Sequence, residues 1–119
     1  MEFTKIEQAV LTWIASHSGS LELQEQLRLA QSIDREYTGA GSYTTLRTSC
    51  VTPLLPCTAV PNPSRGPLSG PEIRSAEIEN GACSLLWFKE GYIECLELAS
   101  YGNSFPEKPK AFTLHEGNE

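Results

Sequence analysis

Two apolar, aromatic and β-branched runs set close together mark Gly81–Gly102, GACSLLWFKEGYIECLELASYG. Two runs, Cys83–Lys89 and Tyr92–Ala99, read as β-strands joined at Glu90–Gly91. An acidic residue followed by glycine between such runs fits a tight turn, because a type I′ turn needs positive φ at both central residues. A simple hairpin through that turn sets Leu85 opposite Leu96, Trp87 opposite Glu94 and Cys83 opposite Leu98 on one face. Leu86 then faces Cys95, Phe88 faces Ile93 and Ser84 faces Glu97 on the other. Both faces are largely apolar, so the pattern predicts a central hairpin covered on two sides, or on one side by a partner.

The N-terminal pattern is helical. Thr4-Lys5-Ile6-Glu7 has the form of a capping box, in which hydroxyl and carboxylate each accept the other's amide. Phe3 or Ile6, Val10, Trp13 and Ile14 follow on one stripe, and the helix ends near Ser16–Gly19. His17 falls in its last turn, where a histidine complements the helix dipole. Ser20 opens a second helix with Leu23, Leu27, Ala30 and Ile33 as its buried line. That helix is expected to stop before Gly39, which suits the left-handed position past a helix end. Gly41–Val51, rich in Thr and Tyr, reads as the first strand.

Val51–Pro71 holds six of the eight prolines, which excludes a helix and marks a long loop that is expected to be either functional or mobile. Glu72–Ile78 returns as a strand, Asn80-Gly81 turns the chain into the hairpin, and Ala111–Leu114 adds an edge strand. These elements predict one α+β domain over residues 1–119. It comprises a helical hairpin over 1–38 and, over 41–114, an antiparallel sheet of about four to five strands with a central hairpin.

Charge narrows the function classes. The formal charge is −6, and it is uneven. Residues 1–71 carry six acids and five bases, whereas 72–119 carry nine acids and four bases. This balance argues against nucleic acid, which requires a basic face, and permits a basic protein partner. No apolar run reaches the roughly 18 residues of a membrane span. The start MEFTKIEQ lacks the pattern of a secretory signal, so a cytoplasmic setting is expected. Cys50, Cys57, Cys83 and Cys95 show no CxxC and no histidines at zinc-ligand spacing, so the expectation is four free thiols and no metal or cofactor. In the register above, Cys83 and Cys95 point to opposite faces and cannot bridge.

Two clusters could carry chemistry. Arg35 to Thr45, REYTGAGSYTT, places Gly39 and Gly41 at an expected helix-to-strand junction. Phosphate cradles run in the reverse order, strand then glycines then helix, so a structural tie through Arg35 and Tyr37 competes with a binding role. Glu94 and Glu97 lie in the expected central strand, where a covered carboxylate must be paired, hydrogen-bonded or protonated. Arg35 and Arg47 are its candidate partners. No nucleophile motif and no histidine accompanies these acids, so no catalytic residue is assigned. Tyr92, Tyr101 and Phe105, near turns and rimmed by acids, would suit a protein interface or a core lid.

The blocks REYTGAGSYTTL, GPLSGPEI and GACSLLWFKEGYIECLELASYGNSFP together resemble a family of small, uncharacterised bacterial proteins over roughly residues 30–114. The resemblance implies a bacterial cytosolic setting and brings no reaction, ligand or site residue. The shorter piece LW-x-x-x-G-x-I-x-x-LE is similar to segments of immunity proteins from bacterial toxin systems.

The functional expectation is a non-catalytic binding protein, of inhibitor or immunity type, engaging a basic partner through Glu79, Glu90, Glu94 and Tyr92. The alternative is a small-molecule-binding protein or enzyme with a cleft between the Pro-rich loop and Arg35, Tyr37, Tyr43, Arg47 and Glu97. A homodimer joined through the second sheet face is a third.

Overall fold

The computed structural model describes residues 2–48, 67–102, 105–106 and 109–116. Helices α1 (Lys5–His17) and α2 (Leu21–Arg28) precede β1 (Gln31–Tyr37), β2 (Gly41–Arg47), β3 (Leu68–Ser69), β4 (Glu72–Ser75), β5 (Ile78–Lys89), β6 (Tyr92–Ser100) and β7 (Thr113–His115). The strands form one antiparallel sheet in the order β1-β2-β6-β5-β4-β7, with β3 also paired to β5. The α+β class is as expected, and the sheet has seven strands among the described residues instead of four or five.

The additional strand at the start of the sheet comes from the expected second helix. Ser20 caps α2 through the Leu23 amide at 3.1 Å, but the helix ends at Arg28 and the chain re-enters as β1. Ile33, expected in the helical core line, is exposed on this edge strand beside a bulge. Sheet pairing along β2 outweighs the continued helical spacing of Ala30 and Ile33. Gly39 keeps a left-handed φ of +86°, as the hinge of the β1–β2 hairpin, not as a helix end. There the Thr38 amide donates to the Gly41 carbonyl at 2.9 Å.

The expected turn at Asn80-Gly81 lies elsewhere as well. Ala76–Glu77 turns β4 into β5, and Asn80 and Gly81, both at positive φ, form an irregularity inside β5. The turn at Glu90 (φ 53°) and Gly91 (φ 87°) has the two left-handed residues the sequence requires. Gly70-Pro71 interrupts what would otherwise be one strand alongside β5, because proline cannot donate to the ladder. Ser84 closes the gap: its carbonyl accepts from the Gly70 amide at 2.9 Å and its hydroxyl donates to the Pro71 carbonyl at 2.7 Å.

Both helices pack on one face of the sheet. Ile6, Val10, Leu11 and Ile14 of α1 and Leu23 and Leu27 of α2 meet Leu86, Phe88, Leu96 and Leu98 in the core. Burying each such side chain contributes roughly 1.5–3 kcal/mol. The simple hairpin register groups Leu85 and Trp87 with Leu96 and Leu98, which would put them at the centre of the core; in the structure they are half-buried on the opposite face, and Leu86 and Phe88 take their place. Trp13 packs at the core margin, where its ring stacks on His17 with centroids 3.8 Å apart. No described helix is long and apolar enough to cross a membrane.

Two buried polar side chains fix the helices to the sheet. Glu7, 1% exposed, accepts from Arg35 Nε at 2.7 Å and Nη2 at 2.5 Å, from the Thr44 hydroxyl at 2.5 Å and from the Thr4 amide at 2.8 Å. Burial alone would raise its pKa. The hydrogen bonds from Arg35, Thr44 and Thr4, with the Arg35 charge, outweigh burial and hold the carboxyl below its usual range. Gln26 on α2 accepts from the Ile93 amide at 3.0 Å and donates to the Gly91 carbonyl at 2.9 Å.

Candidate functional site

The bonds made by Gln26 fall where β6 departs from a simple hairpin. Phe88 pairs with Ile93 as expected, but Trp87 pairs with Cys95, so Glu94 is an extra, bulged residue. Past the bulge every pair slides by one: Leu86 faces Leu96 and Leu85 faces Glu97. The physical reason is burial. Shifting register by one residue exchanges the faces of a strand. Only the bulged arrangement puts Leu86, Phe88, Leu96 and Leu98 on the helix side together. The same shift carries Cys95 and Glu97 to the open side.

The open face therefore has defined rows. Glu36 on β1, Tyr43 on β2, Glu97 on β6 and Leu85 on β5 form one row; Asp34, Thr45, Cys95 and Trp87 form the next. Gly41, Ala99 and Cys83 continue the surface. Gly41 permits this close packing, since a Cβ there would lie 1.8 Å from the Leu98 carbonyl oxygen. No described helix covers this face, and Tyr43 is 45% exposed.

Glu97 sits at its centre. The Trp87 indole donates to Glu97 Oε1 at 3.0 Å. The charge of Glu97 comes first among the influences that hold the Tyr43 phenol above its usual pKa, with burial, a hydrogen bond to Glu97 and the charge of Glu36 also contributing. The ion pairs among the described residues are Arg28–Glu25, Arg35–Glu7 and Arg74–Glu72, so neither expected arginine reaches Glu97. Burial, then the charges of Glu97 and Glu94, push the Cys95 thiol up to about 11, which makes it a poor nucleophile at neutral pH. Burial likewise raises Cys83.

The cysteine expectation needs a correction of cause. Cys83 and Cys95 share the open face and are both free. They stay apart because Cys83 pairs with Ala99, four residues and about 13 Å along β6 from Cys95, beyond disulfide reach. Cys50 and Cys57 lie outside the described residues.

The five residues of the expected ligand cleft do not converge. Arg35 and Tyr37 lie on the helix side, opposite Thr44 and Ser42, while Tyr43 and Glu97 lie on the open side. Arg35 borders a groove of about 470 Å³ with Phe3, Lys5 and Lys110, but its guanidinium is committed to Glu7. Arg47, exposed at the end of β2, borders a separate groove of about 750 Å³ with Phe3, Gln8 and Ile33. The Pro-rich side of that cleft lies mainly outside the described residues.

Of the expected partner-binding residues, Glu90, Tyr92 and Glu94 gather around the β5–β6 turn, with both acids exposed. Position 79 lies near the other end of β5, eleven residues and about 35 Å of strand away; its side chain lies outside the described residues. Tyr101 is exposed, its hydroxyl donating to Glu72 at 3.3 Å, whereas Phe105 is buried in the core. Asp34 and Glu36 were not among the expected site residues: with their segment read as helix, nothing set them in register with Tyr43 and Glu97. The signal that places them is IDREY and SYTTL mirrored about TGAG, a hairpin pattern.

Among the described residues, no group of three or more His, Cys, Asp or Glu could hold a metal ion. No family model, curated protein or solved structure matches the chain.

Proposed function

We propose that this is a binding protein whose open sheet face engages a basic protein partner, an inhibitor or immunity-type role. The observation that carries the reading is the row Glu36–Tyr43–Glu97–Leu85, with Asp34, Cys95 and Trp87 beside it. It combines aromatic and apolar area with carboxylates that form no ion pair among the described residues. Aromatic anchors give an interface its affinity, and complementary charge gives it encounter rate and partner choice. Helix-side carboxylates such as Glu7 are already neutralised and have nothing to offer a partner.

The test compares Glu36→Lys with Glu116→Lys, an equal charge change outside the open-face rows. Proteins retained by the immobilised chain from a lysate of its native host are identified, purified and used for association kinetics. Glu36→Lys should slow association on the order of tenfold at low salt, and the gap should close as salt screens the surface. Equal rates for the two variants at all salt concentrations would remove the open face from the function.

A further inference from the structure

Resting on that reading, we propose that the partner is recognised through an arginine side chain, whose guanidinium seats on Glu97 between the rings of Tyr43 and Trp87. Glu97 is held for such a role by a neutral group: the Trp87 indole fixes one carboxylate oxygen at 3.0 Å without cancelling its charge. A carboxylate offers about four acceptor sites, so indole and phenol leave sites open for a forked donor. Glu36, across Tyr43 on β1, adds a second negative charge to the same row.

Among the described residues no basic side chain forms an ion pair with Glu97. By strand alternation Arg47 and Lys89 share the open face, but each lies two rows from Glu97, about 13 Å along its strand. Tyr43 on β2 and Trp87 on β5 flank β6. Two strand spacings across the sheet and one row along it separate their backbones by about 12 Å, enough to admit a flat group between two rings. Cys95, Ala99 and Leu85 line the surroundings with weakly polar atoms, where a charged hydrogen bond is stronger than in open water.

This geometry favours arginine over lysine. A guanidinium is planar, stacks on aromatic rings and meets a carboxylate with two parallel hydrogen bonds. An ammonium is a strongly hydrated point charge and gains less from flat walls.

The experiment follows the indole N–H resonances of the full chain in ¹⁵N spectra during titration with hexa-arginine or hexa-lysine peptides. The Trp13 indole, on α1, serves as the internal control. Hexa-arginine should shift the Trp87 indole saturably, leave Trp13 in place and bind on the order of tenfold more tightly than hexa-lysine. Tyr43→Leu, at an exposed position that should not disturb folding, should reduce that preference, and Glu97→Gln should abolish it. Equal binding of the two peptides at Trp87 would overturn the arginine seat and leave the acidic docking face standing. No shift with either peptide would overturn both. Sedimentation at twice the chain mass without peptide would assign the face to a second copy and overturn the seat.

Discussion

The two faces of the sheet share their strands but use carboxylates in opposite ways. On the helix side Glu7 is buried, and Arg35, Thr44 and Thr4 supply every donor it needs. On the open side Glu97 is held by an indole, with Asp34 and Glu36 nearby on β1 and no cation paired to it among the described residues. A charge matched within the chain contributes to holding the fold. One held by a neutral donor stays available to something outside it. The contrast separates an ion pair made for structure from the carboxylate on which the proposed recognition rests.

Mutations should separate the faces. Replacing Leu96, fully buried on the helix side, by Ala should cost about 2–5 kcal/mol in denaturant unfolding. Leu85→Ala, half-buried on the open side, should cost clearly less. Equal losses would mean that both faces are core.

Arg35→Met should cost about 3–5 kcal/mol, because it leaves the Glu7 charge buried without its cation. Glu97→Gln should stay within about 1 kcal/mol, since an amide oxygen can still accept from the indole. The pH dependence sharpens this pair. The folded pKa of Glu7 lies below its unfolded value, so its contribution is complete above the unfolded value and is lost as pH falls through the folded one. Acid unfolding curves of Arg35→Met should lack that loss. A curve parallel to the wild type would show that Glu7 is not the group responsible.

Gln26→Ala should cost about 1–3 kcal/mol by leaving the Ile93 amide and Gly91 carbonyl without their partner. It should also perturb the Trp87 indole resonance, because the bonds it removes adjoin the bulge that sets the open-face register. Destabilisation without any change at Trp87 would uncouple α2 from the site.

The smallest effects concern the cysteines. With its pKa near 11, Cys95 in the folded protein should react with iodoacetamide at pH 8 far more slowly than an unfolded-chain thiol. Rapid alkylation of Cys95 would mean that the open face is less covered at that point than its half-burial indicates.

Much of the fold was legible because local chemistry and tertiary packing agree. The Thr4–Glu7 capping box, the Ser20 cap and the Glu90-Gly91 turn all occur where residue type alone places them. The site was less legible because it depends on one residue of register. Nothing in YIECLELA announces that Glu94 bulges; the four apolar side chains that it brings to one face become visible only once the helices are in place. Arg35 was recognisable as a tie, but its acid was sought on the sheet, whereas it lay in the first helical turn. Asp34 and Glu36 were lost with β1, since Ala30 and Ile33 continue a helical spacing that strand pairing overrides.

Glu7 also has a consequence for hydrogen exchange. The first turn of a helix ordinarily frays, and its amides open without disturbing the rest of the molecule. Here the carboxylate that accepts from the Thr4 amide also holds Arg35 and Thr44, on strands 28 and 37 residues further along the chain. Opening that turn therefore breaks contacts to two strands at once. The Thr4 and Glu7 amides should exchange with the slow protons of the β1–β2 hairpin, making the start of α1 part of the same cooperative unit as the sheet.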